Sequence, residues 1–265
     1  MPSIATTHGL INYRESGTGS PVVMLHATLH DHRDFDPIFD EIARNHRAIA
    51  IDWPHHGQSS NSGSLPRATD LVVALHDVVV AMDLEPAILI GNSAGGYAAA
   101  QLAIDHPDRV AGLVLVNTGG FTKHTPATRA FIKLMSSPAF TKRMLPFLAK
   151  AYMRAQTPSD RAIIKRVKDR AAGSGAAVAA KLWSSFLDPA FDLRKTAAKI
   201  TAPTLLMWGV KDMTTPLGDG KRADAVIPDS TLHEFPTGHL PFSSQPWEFL
   251  EILQPFIDRL GSWKG

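Results

Sequence analysis

Gly91-Asn92-Ser93-Ala94-Gly95 sets one serine among small residues, directly after the apolar run Ala87–Gly91 and directly before an alanine-rich stretch. A serine hydroxyl becomes a useful nucleophile only when a base takes its proton and donors receive the negative charge that then develops on the attacked group. A sharp strand-to-helix turn meets the second need, because it presents the hydroxyl at a helix N-terminus whose free N–H groups point at that charge. The first need calls for a histidine held in place by a carboxylate. His239, in Thr237-Gly238-His239-Leu240-Pro241, and Asp212, at the end of Trp208-Gly209-Val210-Lys211-Asp212, supply the two types, each just beyond an apolar run late in the chain. Gly91, Gly95 and Gly96 would also suit a tight turn with no chemistry, so the reading depends on whether the fold brings the three side chains together.

Short apolar runs bounded by turn residues, Pro21–His26, Arg47–Asp52, Ala87–Gly91 and Val110–Asn117, read as buried parallel strands, and Thr204–Gly209 and Ser230–Phe235 as two further strands. Between them, Asp36–Asn45, Thr69–Leu84 and Ala94–His106 carry helical spacing, the last stopped by Pro107; a further helical stretch ends near Val226, and Trp247–Leu260 closes the chain. Strands alternating with helices of this size predict an α/β fold with a mostly parallel sheet wrapped by right-handed crossovers. In such a sheet the loops carrying Ser93, Asp212 and His239 all leave at the carboxyl edge, where open α/β sheets place their ligands.

One segment breaks the alternation. From Phe121 to Ile200 the chain lacks strand-like runs and holds 16 Lys+Arg against 4 acids, a net +12, while the remainder carries −10. Its apolar residues recur at three- and four-residue spacing, which predicts about four short amphipathic helices separated by Pro126, Pro138, Pro146, Pro158 and the Gly173-Ser174-Gly175 turn. The expected organisation is a core of residues 1–120 and 201–265 with an insert of residues 121–200. Amphipathic helices turn polar faces outward, so Lys165, Arg166, Lys168 and Arg170 are expected in water.

The composition excludes several classes. The 265 residues include no cysteine, so disulfides, thiolate metal sites and a thiol nucleophile are ruled out. No basic, apolar leader opens the sequence and no run of 18 apolar residues occurs, so a cytoplasmic protein without a membrane span is expected. A formal net charge of +2 argues against nucleic acid as a partner. His26, His30, Asp31, His32, His55 and His56 crowd the front of the chain, yet no zinc-hydrolase spacing is present; the expectation is no metal and no cofactor, with these residues in a polar network of loops. His26 and Asp52 are expected to support turns, and His30, Trp53 and His56 are candidate pocket residues. No phosphate-binding glycine motif occurs between a strand and a helix. The oligomeric state is left open.

With Ser93, Asp212 and His239 in that order, His26-Ala27-Thr28 after an early strand, Asp52-Trp53-Pro54-His55-His56-Gly57-Gln58-Ser59 after the next, and His106-Pro107-Asp108-Arg109-Val110 after the nucleophile helix, the chain resembles the α/β-hydrolase superfamily over nearly its whole length. The resemblance implies a mobile helical cap over the active site, and a serine hydrolase of a small acyl substrate, an ester or lactone. It implies Ser93 as nucleophile, His239 as base, Asp212 as its partner, and the backbone N–H groups of Thr28 and Ala94 as oxyanion donors. The chain departs from the family pattern at Ala27 and His55, where glycines are usual. Haloalkane dehalogenases and epoxide hydrolases of this fold carry aspartate in place of Ser93, which disfavours those activities. Carbon–carbon bond hydrolases, cofactor-free haloperoxidases and hydroxynitrile lyases share the serine triad and remain alternatives; a small-molecule receptor with slow turnover is the alternative of another class.

Overall fold

The computed structural model describes residues 1–61, 63–84 and 86–261. Along the chain lie β1 (Ser3–Thr6), β2 (Gly9–Ser16), β3 (Pro21–Leu25), α1 (Asp36–Ile42), β4 (Arg47–Ile51), α2 (Ala68–Ala81), β5 (Ala87–Asn92), α3 (Ala94–Asp105) and β6 (Val110–Val116). Then follow α4 (Pro126–Met135), α5 (Pro138–Met153), α6 (Pro158–Ala172), α7 (Gly175–Ser185), β7 (Thr204–Gly209), α8 (Leu217–Asp224), β8 (Ser230–Phe235), α9 (Pro241–Ser244) and α10 (Pro246–Gly261). The strands form one eight-stranded sheet in the order β1-β2-β4-β3-β5-β6-β7-β8. β3 to β8 pair in parallel, while β2 pairs antiparallel with both β1 and β4.

The six expected strands are the six parallel strands, β8 lying half-exposed at the edge. Helices cover both faces of a parallel sheet, so β5 and β7 are buried along their whole length and need apolar residues at every position. The N-terminal hairpin of β1 and β2 was not evident in the sequence, because these strands are half-exposed and carry Arg14 and Glu15. Strand order reverses around β3, which has β4 on one side and β5 on the other. This is the switch point where α/β sheets open a crevice at their carboxyl ends.

Between β6 and β7 the described residues contain helices and short turns but no strand. Pro126, Pro138 and Pro158 stand first in α4, α5 and α6, where a missing N–H costs nothing. Pro146 does not separate two helices as expected; it lies inside α5. No helix among the described residues is long and apolar enough to cross a membrane.

Candidate active site

Ser93 is the single residue between β5 and α3, and its backbone sits at φ 55°, ψ −114°. A non-glycine residue held there costs on the order of 1–3 kcal/mol, a strain that tends to persist only where surrounding structure enforces it. The enforcement is close packing. A Cβ at Gly91 would lie 2.6 Å from the Gly95 carbonyl oxygen, and one at Gly95 would lie 2.3 Å from that of Leu25, so only glycine lets β5, α3 and β3 meet. The Ser93 N–H donates to Val116 O at 3.1 Å, tying the turn to the end of β6.

Asp212 and His239 follow β7 and β8, and His239 Nδ1 lies 2.5 Å from Asp212 Oδ2. That carboxylate is buried and well supplied with donors: Asn117 Nδ2 at 3.0 Å and Thr215 Oγ1 at 2.6 Å on Oδ2, and Thr214 N at 2.8 Å on Oδ1. Burial pushes the Asp212 pKa up, but the charge of His239 and these hydrogen bonds outweigh it and hold the carboxyl below its ordinary value. Asn117 Oδ1 accepts from Gly209 N at 2.7 Å, so one side chain at the end of β6 fixes both the β7 exit and the acid. The His239 N–H donates to Tyr152 O of α5 at 3.0 Å. Gly238 permits this approach, since a Cβ there would lie 2.3 Å from the same oxygen.

Thr28 follows β3 in a loop where Leu29 adopts φ 64°. The backbone N–H of Thr28 and that of Ala94 have no acceptor among the described residues, and Thr28 Oγ1 is likewise buried without a partner. Ala27 is accommodated in the core at 3% exposure. His55 takes φ 62°, the left-handed conformation for which glycine is the usual residue. Asp52 accepts from His32 N at 2.9 Å and Gln58 N at 2.8 Å, and His26 Nε2 accepts from Trp53 N at 3.1 Å, so both support turns.

Ser93, Ala94, His239, Thr28 and His30 line one cavity of 390 Å³. Its walls are mainly apolar side chains of the insert, among them Phe131, Leu145, Leu148, Trp183, Phe186 and Phe191. Two expected pocket residues are not on it. Trp53 is fully buried, with Nε1 donating to His26 O at 2.9 Å, and His56 is turned inward, with Nδ1 2.9 Å from Pro54 O and its ring 5.2 Å from that of His26. Burial pushes the His56 pKa down to about 4.

The sequence also misplaces two arginines. Lys165 is exposed and Lys168 half-buried, but Arg166 and Arg170 of α6 point into the molecule, where Arg166 donates to Asp34 at 3.0 Å and Arg170 pairs with Asp31. Tyr152, on the cavity wall with its hydroxyl 2.9 Å from His30 Nε2, had no signal of its own; its partner lies 122 residues away.

A family model described as alpha/beta hydrolase fold matches residues 20–246. The pimeloyl-[acyl-carrier protein] methyl ester esterase of Chromobacterium violaceum is 32% identical over 252 residues, covering 91% of this chain and 96% of that protein. The 2-hydroxy-6-oxononadienedioate/2-hydroxy-6-oxononatrienedioate hydrolase of Cupriavidus pinatubonensis is 30% identical over 251 residues, covering 85% of this chain and 82% of that protein. Among solved structures, the enol-lactonase from Burkholderia xenovorans LB400 has a TM-score of 0.85 at 19% identity, covering 97% of this chain and all of that one, a likeness of fold.

Proposed function

The chain belongs to the α/β-hydrolase family, and from that premise we propose that it is a serine hydrolase of small carboxylic esters or lactones, with no cofactor. One observation carries the reading: a strained serine at a helix N-terminus shares a cavity with a histidine whose Nδ1 is 2.5 Å from a buried, fully hydrogen-bonded aspartate. With Asp212 accepting the Nδ1 proton, the neutral His239 ring offers Nε2 as a base.

In this mechanism His239 Nε2 takes the Ser93 proton as Oγ attacks the carbonyl carbon. The negative oxygen of the tetrahedral intermediate accepts from the free N–H groups of Thr28 and Ala94, and Asp212 stabilises the imidazolium. His239 then passes the proton to the departing alcohol oxygen, leaving an acyl-Ser93 ester. Water, deprotonated by the same ring, releases the carboxylic acid and restores the serine. No Ser93–His239 hydrogen bond is present among the described residues, and such bonds commonly tighten only in the substrate complex. The mainly apolar cavity suits a small acyl or alcohol group rather than a polymer. A relative named as a methyl ester esterase supports ester chemistry, and one named as a dienedioate hydrolase supports hydrolysis.

The test is a fluorophosphonate probe together with a panel of chromogenic esters and lactones of graded acyl length. Ser93 is expected to label, and Ser93→Ala to lose both labelling and at least about 10³-fold in kcat. Labelling or turnover that survives Ser93→Ala would overturn the assignment.

A further inference from the structure

Asp34, His30 and Tyr152 form a second buried relay that reaches the same cavity and has no part in the mechanism above. His30 is 2% exposed; its Nδ1 faces Asp34 Oδ2 and its Nε2 lies 2.9 Å from Tyr152 Oη. The other Asp34 oxygen, Oδ1, accepts from Arg166 Nη2 at 3.0 Å. His30 and Tyr152 line the cavity with Ser93 and His239, and the Tyr152 ring stands edge-on to His239 with centroids 5.2 Å apart. The relay therefore ends beside the reacting groups.

The direction of its hydrogen bonds follows from its two ends. Asp34 accepts, so Nδ1 of His30 carries the proton and Nε2 of the neutral ring is a lone pair. Tyr152 keeps its proton, because burial, then the Asp34 and Asp212 carboxylates, push its pKa far upward. It therefore donates to His30 and has only lone pairs left for the cavity.

We propose that Tyr152 Oη is a fixed acceptor for the substrate, so that the site selects esters or lactones carrying a hydroxyl or amide N–H close to the scissile carbonyl. This rests on the serine-hydrolase reading and names its substrate class. A substrate without the donor would cover the tyrosine oxygen without pairing it, and sites built around a hydrogen bond discriminate strongly against such analogues. Because the oxygen keeps its bond to His30, the expected discrimination is about tenfold rather than the larger factors of a wholly orphaned group.

The experiment measures kcat/KM for phenyl esters of 2-hydroxybutanoate, 3-hydroxybutanoate and N-acetylglycine, each beside its O- or N-methyl counterpart. The wild type is expected to prefer at least one donor-bearing ester over its methylated partner by about tenfold, and Tyr152→Phe to bring that ratio close to one, whatever the variant does to absolute rates. Asp34→Asn supplies the second arm. Arg166 would hold the amide oxygen, the amide NH₂ would face His30 Nδ1, and the ring proton would move to Nε2, which then donates to Tyr152 and frees its O–H to donate into the cavity. The preference should fall toward one, because a hydroxyl and a methyl ether oxygen can both accept from that O–H. A network that only joins insert to core would slow every ester alike and leave the ratios unchanged. No donor preference in the wild type, or one that survives Tyr152→Phe, would overturn the proposal. Failure of the hydrolase reading looks different: phenyl butanoate would still be cleaved at the wild-type rate by Ser93→Ala.

Discussion

At Ser93 the side chain and the backbone make opposite demands. The chemistry needs a hydroxyl, while φ 55° favours a residue without Cβ. Ser93→Gly is therefore expected to be more stable than Ser93→Ala by about 1 kcal/mol, both being inactive; urea midpoints compare the two with the lost hydroxyl cancelled, and equal midpoints would mean the turn is unstrained. His56 gives a pH-dependent counterpart. It is buried against His26, Pro54 and Asp52, with Arg170 and His30 nearby, and titrates at about 4 in the folded protein, against about 6.5 unfolded. Between those values the unfolded chain binds the proton and the folded one does not, so stability falls as pH drops through the window, by up to about 1.4 kcal/mol per pH unit. His26, pushed down by burial and then by the charge of His56, acts in the same direction. His56→Asn, which takes up no proton, should lose less stability than the wild type between pH 7 and pH 4.5, measured by urea unfolding; parallel losses would remove His56 as a cause.

Among the elements of the insert, attachment is uneven. α6 is fastened at both ends: Asp160 in its first turn accepts from Ser243 Oγ at 2.6 Å and Ser244 Oγ at 3.0 Å of α9, and Arg170 near its end donates to Leu29 O at 3.1 Å and pairs with Asp31. α4 buries only Ile132 and Met135 and leaves Leu134 51% exposed. Motion of the cap should therefore be concentrated in α4, whose amides are expected to exchange with deuterium before those of α6; equal protection would contradict this. Arg170→Ala should cost about 1.5–3 kcal/mol, since it strips a charged donor from a buried carboxylate. The same contrast explains what sequence could and could not reveal. The inner parallel strands and the Ser93 turn are legible because burial on both faces and a strained turn each restrict residue type locally. β1 and β2 lie at the sheet edge, half-wet, so their pattern is blurred by Arg14 and Glu15. Arg166 and Arg170 have the spacing of a solvated face, and only the fold, by bringing Asp31 and Asp34 beneath α6, turns them inward. Asn117 and Tyr152 act on Asp212 and His30 from 95 and 122 residues away, a distance that residue type and spacing do not bridge.

Across the whole molecule, the +12 of the insert faces a body of −10, and part of that difference is consumed at the seam by Arg166 and Arg170 with Asp31 and Asp34. Among the described residues the direction reverses where Arg67 of the body pairs with Asp188 of the insert at 2.5 Å. What is left over is not spread evenly. Lys123, Arg129 and Lys195 have no carboxylate within ion-pair distance among the described residues, and they border one depression with His124, Asp188, Asp192 and Arg194. Its two carboxylates are already committed, Asp188 to Arg67 and Asp192 to Arg194 at 2.7 Å, so the depression is net positive. His124 is shared with the cavity that holds Ser93 and His239, and burial, then Arg129 and Arg194, push its pKa down, so it adds polarity rather than charge near neutral pH. Unpaired cations at a cavity edge attract anions over roughly 30 Å at 0.01 M salt and roughly 10 Å at 0.1 M. An ester with a remote carboxylate should therefore exceed its neutral isostere in kcat/KM at low salt, with the advantage shrinking across that range and falling in an Arg129→Gln, Lys195→Gln variant. Identical salt profiles for the two esters would place these cations outside the substrate's path, leaving selection to the apolar walls and the polar groups at their base.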